Sequence, residues 1–314
     1  MAAGCSALVF LLCIVFLCQE QSFSGINYYF TEYSQNSIVY KNSLHFSDSK
    51  IAMCLMVRDD MDALEWIVYH NRLGINKFYV YDNGSKPPMK SLLQPFIDSN
   101  LVTYEVSHGR NMNAIESFIS QYFFELRDPN INKQAFIYEK CTADHGRKHE
   151  WLAYLDNDEF IRVNPVVGQG QSKTFEQILD SQKQDCAGLR LPWMMFGSSG
   201  FVSRPAGGVL GHYYKCYQDI QFKSISQTRY LTGKSFIHDM EYIPGKASCL
   251  SAEVRIDHYS IKSLEDYKLK MKRGAGNSVS RRMDYFENVN KSANKTCEIL
   301  YMPPKRPDTV SDII

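Results

Sequence analysis

The sequence predicts an α/β fold, a mostly parallel twisted sheet with helices on both faces, preceded by an N-terminal signal anchor or signal peptide. Three observations predict it. Apolar runs such as "IAMCLMV" (51–57) have the composition of strands covered on both sides. Stretches with helical spacing alternate with such runs, in units of the length that joins parallel strands by right-handed crossovers. The chain has 314 residues, 44% hydrophobic and 13% aromatic, enough to bury one large core.

Each element has its own signal. Residues 1–18, MAAGCSALVFLLCIVFLC, carry no charged side chain and read as an export signal, long for the centre of a cleaved peptide and short for a full span. A type II anchor is favoured slightly over cleavage, because thinner membranes accept shorter segments. Residues 19–49 are polar, without sustained periodicity, and read as a stem. After the strand at 51–57, "DDMDALEWIVYHNRLG" opens with acids, spaces Leu64, Ile67, Val68 and Leu73 for a helix, and stops at Gly74. "KFYVYDNGS" is a second strand, "PPMKSLLQPFIDSN" a short helix, "LVTYEVS" a third strand, and "NAIESFISQYFFELR" another helix. "NKQAFIYEKCTADHGRKHE" forms one more helix before the strand "WLAYLD". Beyond Asn164 the chain is richer in Gly, Pro and Ser and reads as extra strands and loops, completing one domain over 51–314. Within it "SLEDYKLKMKRG" is a helix capped by Ser263, with Glu265 and Asp266 in its first turn.

A formal charge of +1 leaves no electrostatic footprint for nucleic acid. Six cysteines follow the N-terminal segment (Cys54, Cys141, Cys186, Cys216, Cys249, Cys297), an even number that suits disulfides in an oxidising lumen, and the sequence does not choose among their pairings. Sequons begin at Asn83, Asn290 and Asn294. These features fit a secretory-pathway protein.

The chemistry concentrates in "WLAYLDNDEF" (151–160), where a buried-looking strand runs into Asp156, Asp158 and Glu159. Acids crowded at a strand end repel one another and cost free energy to desolvate, so a positive partner is expected. Asp156 and Asp158 are one residue apart, and on an extended segment their side chains point the same way. Oxygen ligands at a strand end suit magnesium or manganese, which leave positions for the phosphates of a substrate. The plain alternative is a solvated strand exit. His258 is a third candidate ligand and His238 competes with it, while Lys262, Lys268, Lys270 and Arg273 surround His258 with positive charge suited to a diphosphate. The plain alternative there is a basic surface helix beside an ordinary buried histidine.

Four blocks occur in order: "VRDDMDALEWIVYHNRLGINKFYVYDNGS", "KHEWLAYLDNDEF", "LPWMMFGSSG" and "HYSIKSLEDYKLKMKRG". Together, over about residues 51–275, they resemble glycosyltransferase family 92, which includes galactosyltransferases of animals and plants. The resemblance implies a GT-A-like fold and inverting, metal-assisted transfer of a sugar from a nucleotide donor, usually UDP-galactose, to a glycan acceptor. By the same resemblance Asp156, Asp158 and His258 would hold the manganese (or magnesium) that binds the diphosphate. Val57, Arg58, Asp59 and Glu65 match the block facing the nucleotide, and Asp82 and Asn83 the second strand end, which argues against a glycan on Asn83. Lys262, Lys270 and Arg273 would steady the leaving UDP. Arg58-Asp59 stands where Lys-Asn is common and Asp257 where Asn is common, which leaves nucleotide selectivity open.

An inverting reaction needs a base. Asp257 is the first choice, with Glu241 and Asp239 behind it, and each reads equally well as a cap or a surface charge. Trp193 and Phe196 could stack on the acceptor sugar beside a tight loop at Gly197–Gly200; the plain alternative makes Trp193 core. The expected setting is the Golgi membrane with a lumenal catalytic domain, or secretion if the N-terminal segment is cleaved. Two other readings stand beside this one: a glycan-binding ectodomain without turnover, and a metal-dependent phosphodiester hydrolase, for which too few ligands are visible.

Overall fold

The computed structural model describes residues 50–107, 133–164, 173–273 and 282–304, all within one compact unit spanning 43–314. The apolar N-terminal segment, the stem at 19–49 and the helix expected at 113–127 lie outside the described residues. Among the described residues no helix is long and apolar enough to cross a membrane.

In chain order the elements are β1 (Ile51–Val57), α1 (Ala63–Leu73), β2 (Lys77–Asp82), α2 (Lys90–Asp98), β3 (Val102–Val106), α3 (Lys133–His145), β4 (Trp151–Tyr154), β5 (Glu159–Val163) and α4 (Phe175–Gln182). Then follow β6 (Gly188–Phe196), β7 (Lys215–Gln227), β8 (Leu231–Ser235), β9 (Met240–Tyr242), β10 (Ser248–Leu250), β11 (Val254–His258), α5 (Leu264–Arg273), α6 (Met283–Ser292) and β12 (Lys295–Thr296). The main sheet runs β3-β2-β1-β4-β7-β6-β11-β5, with β10 beside β6 and β12 beside β7, and β8 with β9 form a separate ribbon. The fold is thus α/β, with a large sheet that is parallel from β3 to β4 and mixed beyond.

Strand direction fixes where a site can form. β1, β2, β3 and β4 are mutually parallel. β7 opposes β4 and β6 opposes β7, so β6 runs with β4, and β11 runs parallel to β6. The carboxyl ends of β1, β2, β4, β6 and β11 therefore share one edge of the sheet, where α/β folds place their ligands.

Both faces of that sheet are covered. Every residue of β1 except Met56 is buried, as its unbroken apolar run requires. Trp66 of α1 meets Phe78 of β2, while Tyr79 and Tyr81, which alternation turns to the other face, join Ile137, Tyr138 and Cys141 of α3 in one cluster. Helices α1 and α3 thus lie on opposite faces. Helix α1 ends at Gly74, whose φ of 119° belongs to the left-handed region and whose N–H bonds to the Asn71 carbonyl. Helix α5 is capped by Ser263, whose Oγ accepts the Asp266 N–H at 3.1 Å.

Beyond Asn164 the structure holds α4 and α6 as well as α5, so the expectation of strands and loops around that single helix needs correction. The signal for α4 was present in "TFEQ": Thr174 and Gln177 form a reciprocal capping box.

The six cysteines pair as Cys54–Cys141, Cys186–Cys249 and Cys216–Cys297. The first joins β1 to α3 across 87 residues of chain, the longest separation of the three. On the chain-entropy account it stabilises the fold by about 3–5 kcal/mol. We expect the double substitution Cys54→Ser and Cys141→Ser to lower the unfolding free energy by about that amount in urea titrations; a change under about 1 kcal/mol would contradict it.

Candidate functional site

A cavity of about 270 Å³ opens at the shared carboxyl edge. Its walls come from several strands and the residues that follow them: Met56 and Val57 of β1 with Arg58 after it, Asn83 after β2, Asp156 to Asp158 after β4, Trp193 in β6 and His258 at the end of β11. Lys270 and Arg273 of α5 and Tyr285 of α6 close another side. Backbone bonds hold these ends together, from Asn83 N–H to the Val57 carbonyl and from Tyr259 N–H to the Asp158 carbonyl, each 2.8 Å. The second sets His258 beside Asp158.

The acidic segment is a turn, not an extension of β4 as the one-residue spacing suggested. Glu159 N–H bonds back to the Asp156 carbonyl at 3.1 Å, and Asp156 N–H bonds to the Glu159 carboxylate at 2.9 Å. Both aspartates still reach the cavity. Their positive partners are lysines from distant sequence. Lys223 of β7, 1% exposed, lies 3.3 Å from Asp156 and 3.7 Å from Glu159, and Lys270 contacts Asp158.

Electrostatics follows from those contacts. Burial disfavours charge on Asp158, yet Lys270, His258 and Lys262 outweigh it and hold the carboxyl well below its usual range. Burial pushes Glu159 well above the carboxylate range despite Lys223, with Asp156 and Asp158 adding to the rise. Lys223 is itself pushed up, because Asp156, Glu159 and Tyr138 together overcome its own burial.

The donor set fits a hard divalent ion in part. Asp158 Oδ1 and His258 Nε2 stand 3.5 Å apart. On the far side of the ring, His258 Nδ1 and Glu159 Oε1 are both buried without a hydrogen-bond partner and face each other at 4.0 Å. A carboxylate behind the second nitrogen is the usual support of a metal-binding imidazole. Asp156 lies on the same wall but turns to Gln134 and Lys223, and among the described residues no three such donors close on one point.

Other expected site residues lie off the cavity, each for a visible reason. Asp257 precedes His258 on β11, so alternation sends it to the opposite face. There it is fully buried, 2.6 Å from Arg162 Nε and 2.8 Å from Arg255 Nε, with no path to a substrate hydroxyl. Glu241 sits on the β8–β9 ribbon, bound to Thr232 and near Lys234. Phe196 is fully buried against Tyr259. Asp82 is buried under the loop after β2, accepting from Ser85 and Met89 N–H and the Tyr104 hydroxyl. Asp59, with φ 46°, accepts the Lys86 N–H in the same loop system. Lys262, with φ 52°, is buried against Asp62 and 3.8 Å from Asp60, so it ties the loop after β1 to the approach to α5 and is not free for a diphosphate. Glu65 accepts the Val209 and Leu210 N–H groups at 2.8 and 3.0 Å. A Cβ on Gly208, which has φ +91°, would come within 2.6 Å of its carboxylate.

Sequence reasoning passed over Lys223, Gln134, Ser260 and Tyr285. Nothing in the local pattern of β7 marks Lys223 as a buried cation, since its two acids lie more than 60 residues earlier.

A family model described as glycosyltransferase family 92 matches residues 47–299. The chain belongs to glycosyltransferase family 92. The match takes in every residue that lines the cavity. A family 92 protein of Arabidopsis thaliana is 24% identical over 272 residues, covering 83% of this chain and 43% of that protein. One from Ricinus communis is 26% identical over 161 residues, 51% of this chain and 25% of the other, and one from Oryza sativa subsp. japonica is 25% identical over 166 residues, 52% and 24%. The chain thus spans less than half the length of these family 92 relatives.

Two predictions test the assignments off the cavity. Burial pushes Glu65 from 4.5 up to about 7, against the hydrogen bonds from Val209 and Leu210. Between those values the folded state keeps a proton that the unfolded state has lost, so stability should fall as pH rises from 4.5 to 7 and level off above, by roughly 3 kcal/mol in total. Glu65→Gln should flatten that part of the curve in urea titrations across the window; an unchanged slope would refute the shift. Asp257→Ala leaves Arg162 and Arg255 without their buried partner and should cost about 3–5 kcal/mol in the same assay.

Proposed function

We propose that this protein is an inverting, metal-dependent glycosyltransferase that moves galactose from UDP-galactose onto a glycan acceptor. The observation that carries the reading is the meeting of Asp158 and His258, 3.5 Å apart, in a cavity that Lys270, Arg273 and Arg58 also line. Family membership supports sugar transfer as the reaction class. The common edge of five strand ends supports a GT-A-like nucleotide-sugar domain over 51–314.

Asp158 and His258 would hold manganese or magnesium, with Asp156 on the same wall turned to Gln134 and Lys223 and Glu159 behind the His258 ring. A divalent ion there supplies charge neutralisation to the departing diphosphate. Lys270 and Arg273 hold the same phosphates from the α5 side, and Val57, Arg58 and Asn83 face the nucleoside. Arg273 is positioned for this by bonds to the Arg58 and Asp59 carbonyls, both 2.8 Å. Trp193, buried except for a small edge at the cavity, would meet the sugar there. The three disulfides support an oxidising lumen, and we assign the protein to the Golgi with residues 1–18 as a signal anchor and 19–49 as a stem. In that setting Asn294, which is exposed, is the sequon open to a glycan, whereas the Asn290 side chain accepts from Ser198 at 2.7 and 2.9 Å and Asn83 lines the cavity.

The test is a panel of UDP-sugars against galactose-, glucose- and N-acetylglucosamine-terminated oligosaccharides, with and without manganese. We expect transfer from UDP-galactose only with the metal. Asp158→Asn should lower it by about 10²–10³-fold and weaken manganese-dependent UDP binding in calorimetry. Glycan uptake without any affinity for UDP would mark a binding ectodomain instead.

A further inference from the structure

The structure assigns the missing proton acceptor: we propose that His238 Nε2 is the general base that deprotonates the attacking acceptor hydroxyl. This rests on the sugar-transfer reading above. It replaces Asp257, whose carboxylate is closed off by two arginines, and Glu241, which lies on the outer ribbon.

The tautomer of His238 follows from its hydrogen bond to Phe222. Nδ1 lies 3.1 Å from the Phe222 carbonyl. A carbonyl oxygen only accepts, so Nδ1 carries the hydrogen and Nε2 keeps its lone pair. The ring is half-buried in the cavity wall. Among the described residues no hydrogen bond is made to Nε2.

The other titratable groups on that wall are engaged. Asp156 is held by Gln134 and Lys223, and Asp158 by Lys270 and His258. The Tyr285 hydroxyl bonds Ser260 Oγ at 3.2 Å. Arg58, Lys270 and Arg273 are cations and cannot accept a proton. Asp239, next in the chain, turns away to Ser248 and Tyr242.

Charges facing His238 come from each neighbouring element: Lys223 from β7, Asp156 from the turn after β4 and His258 from β11. Burial lowers its pKa from 6.5 and Lys223 adds to the fall, against the Phe222 carbonyl and Asp156. The imidazole is therefore neutral near pH 7, with its Nε2 lone pair available.

Trp193 sets the geometry. Its ring lies 4.3 Å from that of His258 and 5.1 Å from that of His238, so one indole stands between the donor side and the base. The β6–β7 register breaks at this point: Pro192 pairs with Phe222 and Met194 with Gln218, leaving three β7 residues opposite Trp193 alone. Such a bulge re-aims side chains. In the step, the acceptor oxygen forms a bond to the anomeric carbon as the bond from that carbon to the phosphate oxygen breaks. The electron pair leaves with the diphosphate, and the hydroxyl proton passes to His238 Nε2 and then to solvent.

The test uses the full chain with UDP-galactose and the best acceptor of the panel above. His238→Gln should lower kcat by about 10²–10⁴-fold, leave the Kd for UDP with manganese unchanged, and remove the acidic limb of the kcat–pH profile. Added imidazole should partly restore His238→Ala. Activity of His238→Gln within tenfold of wild type, a retained acidic limb, or lost UDP affinity would overturn the assignment. If wild type transfers sugar and Asp158→Asn does not, such a result removes only the base; if wild type transfers nothing, the sugar-transfer reading falls and the base with it.

Discussion

With Lys270 meeting Asp158, the acidic turn at the centre of this sheet depends on Lys223 beneath Asp156 and Glu159. Reaching from β7, the strand that separates β4 from β6, it sits against Asp156 and Glu159 with almost no exposure. A lone buried ammonium would lose its proton to escape desolvation, and lone buried carboxylates would take one up. Here Asp156 and Glu159 keep Lys223 charged, while burial still pushes Glu159 towards its neutral form. The turn after β4 is thereby fixed, and with it Asp158, the backbone bond to Tyr259 and the position of His258.

A second constraint is the period of two along β11. It points His258 at the cavity and Asp257 at Arg162 and Arg255, so neighbours in sequence belong to different parts of the molecule. The buried ions on the far side form a scaffold for the strand, while those between β1 and α5 (Asp60, Asp62, Lys262, Arg204 and Arg273) hold the rim. Much of the ionic chemistry near the cavity is therefore structural.

The first half of the fold was legible because its elements carry their own signals: unbroken apolar strands, acids at the start of α1, Gly74 at its end. The cavity-lining aspartates, His258, Trp193, Lys270 and Arg273 were legible because they stand in recognisable blocks. What the sequence hid was direction. Asp257 and Glu241 sit near the late histidines in number but not in space, and Lys262 looks like a free surface lysine until its two aspartates are seen. Lys223 and the role of Glu159 depend on contacts across sheet strands, which no local pattern encodes. Helix α4 is the exception, since its capping residues were readable and outweighed by the Gly and Ser around them.

β11 is clamped on both sides, antiparallel to β5 and parallel to β6. Inserting or deleting one residue within it would trade the imidazole for a carboxylate at the cavity and leave two guanidinium groups facing a ring. Length changes are thus costly in this strand and cheaper in the connections at the rim, such as the segment carrying Ile237.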